Sequence, residues 1–274
     1  MSRAGAVIGF LVLGLAAAPA AGFETNGRHW DTMPVTYWIN PAECPALADG
    51  STIVEILERA TQAWEDVPCA DVQFQLLGTT DKTWDNDGQN TIYCVSDPAA
   101  WQFGVGAAGA TLWLPKPEGE TPEVDLALNA ADLEWRDGGG DALETGVMDP
   151  QAMITHELGH WLGLAHTPDP YGTMYYGLLP NGIQKTLAGD DRAGLCTLYP
   201  SGVTECATDE DCGEDRRCTV IQGVPVCDEV HDGPGAPCDK AYIDCEGMCW
   251  VSLYECSQLC WFTDPMATEG YCAP

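Results

Sequence analysis

Residues 34–39 read Pro34-Val35-Thr36-Tyr37-Trp38-Ile39, a β-branched and aromatic run that stops at Asn40-Pro41. This is strand composition followed by a turn. The spacing then changes: Ile53, Ile56, Leu57, Ala60, Ala63, Trp64 and Val67 recur at intervals that place them on one face of a helix. Thr52 and Glu55 open that helix with a capping-box pattern, in which each side chain satisfies the other's free backbone donor. Alternation returns at Val72, Phe74 and Leu76 and in parts of Thr91-Ile92-Tyr93-Cys94-Val95, so both are expected as half-buried strands. Thr111-Leu112-Trp113-Leu114, ended by Pro115, and Val124-Asp125-Leu126-Ala127-Leu128 complete a sheet of about five strands. After a glycine-rich loop around residues 138–140, Asp149-Pro150 supplies the N-cap and first-turn proline of another helix. A last helix is expected over 190–199. Strands and helices mixed in this order predict an α+β domain.

The ends of the chain have a different composition. Arg3, the apolar run 4–18 and the small-residue site Ala18-Pro19-Ala20 follow the order of a secretory signal peptide, assigned to 1–22, and the run is too short and alanine-rich for a membrane anchor. Of the 14 cysteines, Cys44, Cys69, Cys94 and Cys196 precede residue 200 and the rest follow it. Both groups are even in number, as expected of disulfides closed within each part of an exported protein. Residues 24–200 are long enough to bury one substantial core, and 201–274 are read as a separate disulfide-stapled domain. There bridges must replace a core, because aliphatic residues are few. Cys245-x3-Cys249-Trp250 recurs as Cys256-x3-Cys260-Trp261; zinc knuckles are disfavoured by the exported context and the lack of histidines. These tryptophans either bind a matrix, glycan or protein partner or pack on the bridges, the latter preferred. The net charge of −31 excludes nucleic acid and anionic membranes as partners. Solubility explains it more simply than calcium sites or growth in salt. No feature speaks to oligomeric state.

The chemistry is concentrated in His156-Glu157-Leu158-Gly159-His160-Trp161-Leu162-Gly163-Leu164-Ala165-His166. Residues four apart share a helical face, so His156 and His160 can hold one cation while Glu157 points at its open position. Gly163 lets the chain turn and bring His166 as a third nitrogen, leaving room for water, the arrangement of a catalytic rather than a structural zinc site. Three of the five histidines lie in this frame, and Met174 follows in Tyr171-Gly172-Thr173-Met174-Tyr175-Tyr176.

Together these residues resemble the metzincin metallopeptidases. The chain looks most like a matrixin: the short gap from His166 to Met174, Thr167 after the third histidine, the closing Gly189-Asp190-Asp191-Arg192-Ala193-Gly194-Leu195-Cys196-Thr197-Leu198-Tyr199, the opening Val35-Thr36-Tyr37-Trp38-Ile39-Asn40 and the helix ending Ala63-Trp64-Glu65-Asp66-Val67 all match that pattern. The resemblance covers about residues 30–200. It implies a twisted mixed sheet packed with a few helices, a zinc cleft below the sheet edge, and a packing role for Met174 beneath the histidines. It also implies that the segment Gly177-Leu178-Leu179-Pro180-Asn181-Gly182 lines the pocket for the residue after the cleaved bond, with an apolar preference.

Three departures from that family matter. Only His29 and His231 remain as further histidines, so no second zinc is expected; calcium at Asp85-Asn86-Asp87-Gly88 competes with a plain polar hairpin. Tyr176 stands where animal matrixins usually have proline, as in astacins and serralysins, where such a tyrosine can stabilise the oxyanion; the alternative is simple packing beneath the helix. No cysteine lies between the signal and Trp30, so export in active form, or control by a separate inhibitor, is expected rather than a thiol switch; a blocking role for Glu24 is disfavoured.

The expected reaction is peptide hydrolysis on zinc, with Glu157 as general base and then acid to the departing amine. The strand at Thr111 to Leu114 is either the edge along which an extended peptide adds or an ordinary covered strand. Two other readings stand beside a secreted zinc endopeptidase: a non-enzymatic zinc-containing binding or adhesion protein, for which Glu157 would have no use, and a zinc amidase acting on a non-protein substrate.

Overall fold

Local sequence signals account for where the helices begin. In the computed structural model, which describes residues 22–104, 107–114, 122–138, 146–167, 169, 171–177 and 184–229, helix α1 (Ile53–Glu65) starts at Thr52 with the capping box closed in both directions. Glu55 Oε2 accepts from Thr52 N at 2.7 Å, and Thr52 Oγ1 accepts from Glu55 N at 3.5 Å. Helix α2 (Pro150–Trp161) is capped by Asp149, which accepts from Gln151 N and Ala152 N at 2.9 and 3.2 Å. Helix α3 spans Gly189–Leu198.

Five strands, β1 (Val35–Asn40), β2 (Phe74–Thr79), β3 (Thr91–Val95), β4 (Gly109–Leu114) and β5 (Glu123–Asn129), form one mixed sheet in the order β2-β1-β3-β5-β4. All pairings are parallel except β4 with β5, which leaves β4 as an antiparallel edge. Short strands β6 (Glu134–Trp135) and β7 (Val147–Met148) pair ahead of α2. Ile39, Ile92, Leu126 and Leu128 from the sheet share one core with Ile56, Leu57 and Trp64 of α1 and Ile154 and Leu158 of α2. The indole of Trp64 donates to Thr155 O at 2.9 Å, fastening α1 to α2.

One strand departs from the expected burial. β2, at the sheet edge, alternates as its pattern predicts, but every residue of β3 is buried. Ile92 and Cys94 enter the main core, whereas Tyr93 and Val95 on the opposite face pack with Ala127 beneath Trp101, Phe103 and Ala110. An interior strand with parallel neighbours is covered on both faces, and here a loop supplies the second cover.

The four early cysteines pair as Cys44–Cys94 and Cys69–Cys196. Beyond residue 200, Cys206–Cys218 and Cys212–Cys227 staple the hairpin of β8 (Arg216–Ile221) and β9 (Val224–Glu229). That hairpin does not rely on bridges alone. Val226 is fully buried in the main core, Gly189 N at the start of α3 donates to Asp228 Oδ1 at 2.8 Å, and Arg192 pairs with Glu205. Segments 1–21, 178–183 and 230–274 lie outside the described residues, and with them the signal peptide, most of the expected pocket segment, His231 and the repeated Cys-Trp pattern.

Candidate active site

Helix α2 carries His156, Glu157 and His160, and the close packing around it depends on glycine. A Cβ on Gly159 would lie 2.2 Å from Met174 Sδ and 2.9 Å from Trp64 Cζ2. The bare backbone there lets α1 and the methionine reach the helix. After Trp161 the chain turns at Gly163, whose φ of +98° favours glycine and whose Cβ would fall 1.9 Å from Arg28 O. The turn returns His166 to the helix.

The three imidazoles then converge. His160 Nε2 and His166 Nε2 are 3.2 Å apart, and one ligand atom from each of His156, His160 and His166 lies within 4.8 Å of the others. His156 Nδ1 lies 2.7 Å from Thr173 O, and His160 Nδ1 lies 2.8 Å from Leu164 O. A carbonyl only accepts, so both Nδ1 atoms carry the proton and both Nε2 lone pairs face inward. Burial, with the neighbouring imidazoles, pushes His156 down to about 3. Burial also lowers His160 and His166, so the rings are neutral and ready to ligate. Zinc–nitrogen bonds of about 2.0–2.1 Å in a tetrahedron need nitrogens roughly 3.3 Å apart, and the histidine pair fits.

Glu157 is buried, 6% exposed, and burial pushes its carboxyl up to about 7 against an opposing hydrogen bond from Thr111. It lines a cleft of about 470 Å³ together with His160, His166, Phe103 and the β4 residues Gly109 to Trp113. The N-terminal segment closes one rim: Asn26 N donates to Gly163 O at 2.8 Å, and Ala165 N donates to Glu24 O at 2.9 Å. Glu24 is itself exposed. The Trp113 indole donates to His160 O at 3.1 Å, tying β4 to the end of α2.

Met174 is buried, 2% exposed, with its sulfur against bare Gly159 of α2. Its loop is held by Asp191, which accepts from Thr173 N at 2.6 Å, Met174 N at 3.0 Å and Ala188 N at 3.0 Å. Burial outweighs those bonds and pushes Asp191 up to about 7. Asp191 stands in the matched closing run, but nothing local in the sequence assigns it this role; nor does anything local assign Thr111 to Glu157. Tyr176 is 68% exposed, its ring tilted by 43° against Tyr175 with centroids 4.3 Å apart, and is not among the residues lining the cleft.

His29 is exposed and 3.3 Å from Asp31, apart from the histidine cluster. In the loop considered for calcium, Asp87 binds Lys82 at 2.6 Å, while Glu123 accepts from Asp87 N and Gly88 N at 2.8 Å. Asp87 and Glu123 are thus engaged by the protein itself, and no trio of His, Cys, Asp or Glu ligand atoms converges in this loop among the described residues.

Two helical histidines, a third from the following turn, and an acid facing the same cleft define a zinc-peptidase type of site. The chain belongs to the matrixin family, which it matches over residues 29–200; matrixins are zinc metalloendopeptidases that generally also bind calcium. A stretch of 52 residues is 40% identical to Metalloendoproteinase 1-MMP of Arabidopsis thaliana, covering 19% of this chain and 14% of that protein. Another of 55 residues is 38% identical to Metalloendoproteinase 1 of Glycine max, covering 20% of this chain and 18% of that one. The matches thus span less than a fifth of either relative.

Proposed function

We propose that this protein is a secreted zinc-dependent endopeptidase in which His156, His160 and His166 hold the metal and Glu157 is the general base. The observation that carries the reading is Glu157, set in the cleft wall directly after a ligand histidine, where a purely structural cation would have no use for a carboxylate. Zinc bound there supplies the Lewis acidity that activates water and polarises the scissile carbonyl. Glu157 takes the proton of the attacking water and returns it to the departing amine. Thr173 and Leu164 hold the imidazoles through their carbonyls, and Met174 packs beneath them. β4, paired among the described residues on one side only, with β5, offers the backbone of its outer edge to an extended peptide. Tyr176 is left outside the chemistry because its ring is exposed and packed at a tilt against Tyr175. The four disulfides among the described residues support an oxidising, extracellular setting, and residues 1–22 are proposed as the signal that leads there.

The test is metal analysis of the purified chain with cleavage of mixed peptides, beside Glu157→Ala and chelator treatment. We expect one zinc, chelator-sensitive cleavage, and a loss of about 10²–10⁴-fold in the variant with zinc retained. A zinc-replete protein that cleaves no peptide would overturn the proposal; cleavage of a non-protein amide instead would redirect it to an amidase.

A further inference from the structure

The general base is held from outside its own helix. Thr111 Oγ1 on β4 lies 2.8 Å from Glu157 Oε2 and 3.1 Å from Glu157 O. A hydroxyl has one hydrogen, and the shorter contact is to the stronger acceptor, the carboxylate. Two residues earlier on the same face of β4, Gly109 presents no side chain; a Cβ there would sit 2.6 Å from Glu157 Cγ and 2.8 Å from Oε1. One carboxylate oxygen is therefore fastened by the edge strand, while the other lies where that strand is bare.

We infer that Thr111 is a positioning residue for Glu157, its hydroxyl fixing Oε2 while bare Gly109 leaves room for Oε1, so that the carboxylate is held in one orientation beside the reacting atoms. The inference rests on the proposed role of Glu157. Fixing the base matters because proton transfer needs the carboxylate within hydrogen-bonding reach of the attacking water, and a misplacement of about 1 Å can cost on the order of a hundredfold in rate. The same strand carries the outer edge proposed for the peptide, so β4 would set substrate and base in one register.

Thr111→Val removes the hydroxyl at nearly constant shape, and Thr111→Ser restores it. Expected for Thr111→Val are a fall in kcat of about ten- to a hundredfold, little change in KM, and wild-type zinc content and Tm; Thr111→Ser should recover kcat to within a few-fold. In a Glu157→Ala background, Thr111→Val should change the residual rate hardly at all, since the group it positions is gone. Gly109→Ala should also lower kcat, by displacing the carboxylate instead of releasing it. A crystal structure of Thr111→Val should show the Glu157 carboxylate spread over several rotamers. Unchanged kcat in Thr111→Val, or equal losses with and without Glu157, would overturn the inference while leaving the peptidase reading intact. Should the wild type prove inactive, the crystal structure still decides: a single unchanged Glu157 rotamer in Thr111→Val would refute the positioning role.

Discussion

Residues 29–200 and the hairpin region 201–229 stay folded by different means. The first buries a continuous cluster of aliphatic and aromatic side chains between sheet and helices, and its bridges Cys44–Cys94 and Cys69–Cys196 join positions 50 and 127 residues apart. In the second, the bridges span only 12 and 15 residues, and Cys206, Val226 and Cys227 are its buried hydrophobic side chains among the described residues. Its shape is set by disulfides, but its attachment comes from the other region's core and from α3, the helix whose Asp191 also holds the Met174 loop. A short cysteine-rich segment can thus take its dry contacts from a neighbour instead of building its own core.

The sharpest way to separate the two regions is to remove one feature from each. His166→Ala should lose zinc and peptide cleavage together, by about a thousandfold or more in kcat/KM, whereas replacing both Cys212 and Cys227 by serine should leave cleavage within a few-fold. Metal analysis and peptide kinetics read both, and full activity in His166→Ala would place the third ligand elsewhere.

Stability should divide along the same line. Replacing Cys69 and Cys196 by serine opens the longest loop and should cost roughly 4–5 kcal/mol in urea unfolding, against roughly 3 kcal/mol for a bridge as short as Cys206–Cys218. The smaller loss should appear as earlier opening of the hairpin in hydrogen exchange. If both pairs cost the same and unfold the whole protein, the two regions form one cooperative unit.

Attachment is tested by Val226→Ala, expected to cost about 2 kcal/mol through lost burial, and by Asp228→Ala, expected to cost about 1 kcal/mol through the lost bond to the start of α3. Both should loosen the hairpin in hydrogen exchange while β3 and β5 stay protected. Equal loosening of hairpin and sheet would remove the distinction.

The mildest test uses pH. Loss of water pushes the buried Asp125 up from 3.8 to about 7, so the folded protein keeps a proton that the unfolded chain releases. This contribution to stability is complete below the unfolded value and is lost as pH rises through about 7. Asp211 in the hairpin runs the other way: hydrogen bonds from Ala207 N and Thr208 N hold it below the ordinary value, so its contribution is present above that value and fades on acidification. The advantage in melting temperature of the metal-free wild type over Asp125→Asn should therefore be larger at pH 5 than at pH 8, while hairpin opening in Asp211→Asn differs from wild type more at pH 8 than on acidification. A difference between wild type and Asp125→Asn that does not shrink as pH rises would contradict this.

The most local features were the most legible. The starts of α1 and α2 lie within a few residues of Thr52, Glu55, Asp149 and Pro150, and the spacing of His156, Glu157 and His160 is a property of one helix. His166 was also within reach, because a single glycine turn brings it back. The full burial of β3 escapes its local pattern because its outer cover, Trp101 and Phe103, comes from a loop that alternation within the strand does not describe.

What the sequence by itself determined, then, was the three helices, the five strands of the main sheet and the spacing of the histidine frame, but not the short pair β6–β7 or the hairpin β8–β9, since periodicity, caps and turns act over one or two helical turns of chain. Only the tertiary structure decided what holds that frame in place. Thr111 meets Glu157 across 46 residues, Asp191 meets Thr173 across 18, and Gly189 meets Asp228 across 39. Such contacts exist only once sheet, helix and hairpin close on one another, because a hydroxyl or a carboxylate carries no mark in the sequence of the distant atom it will bind.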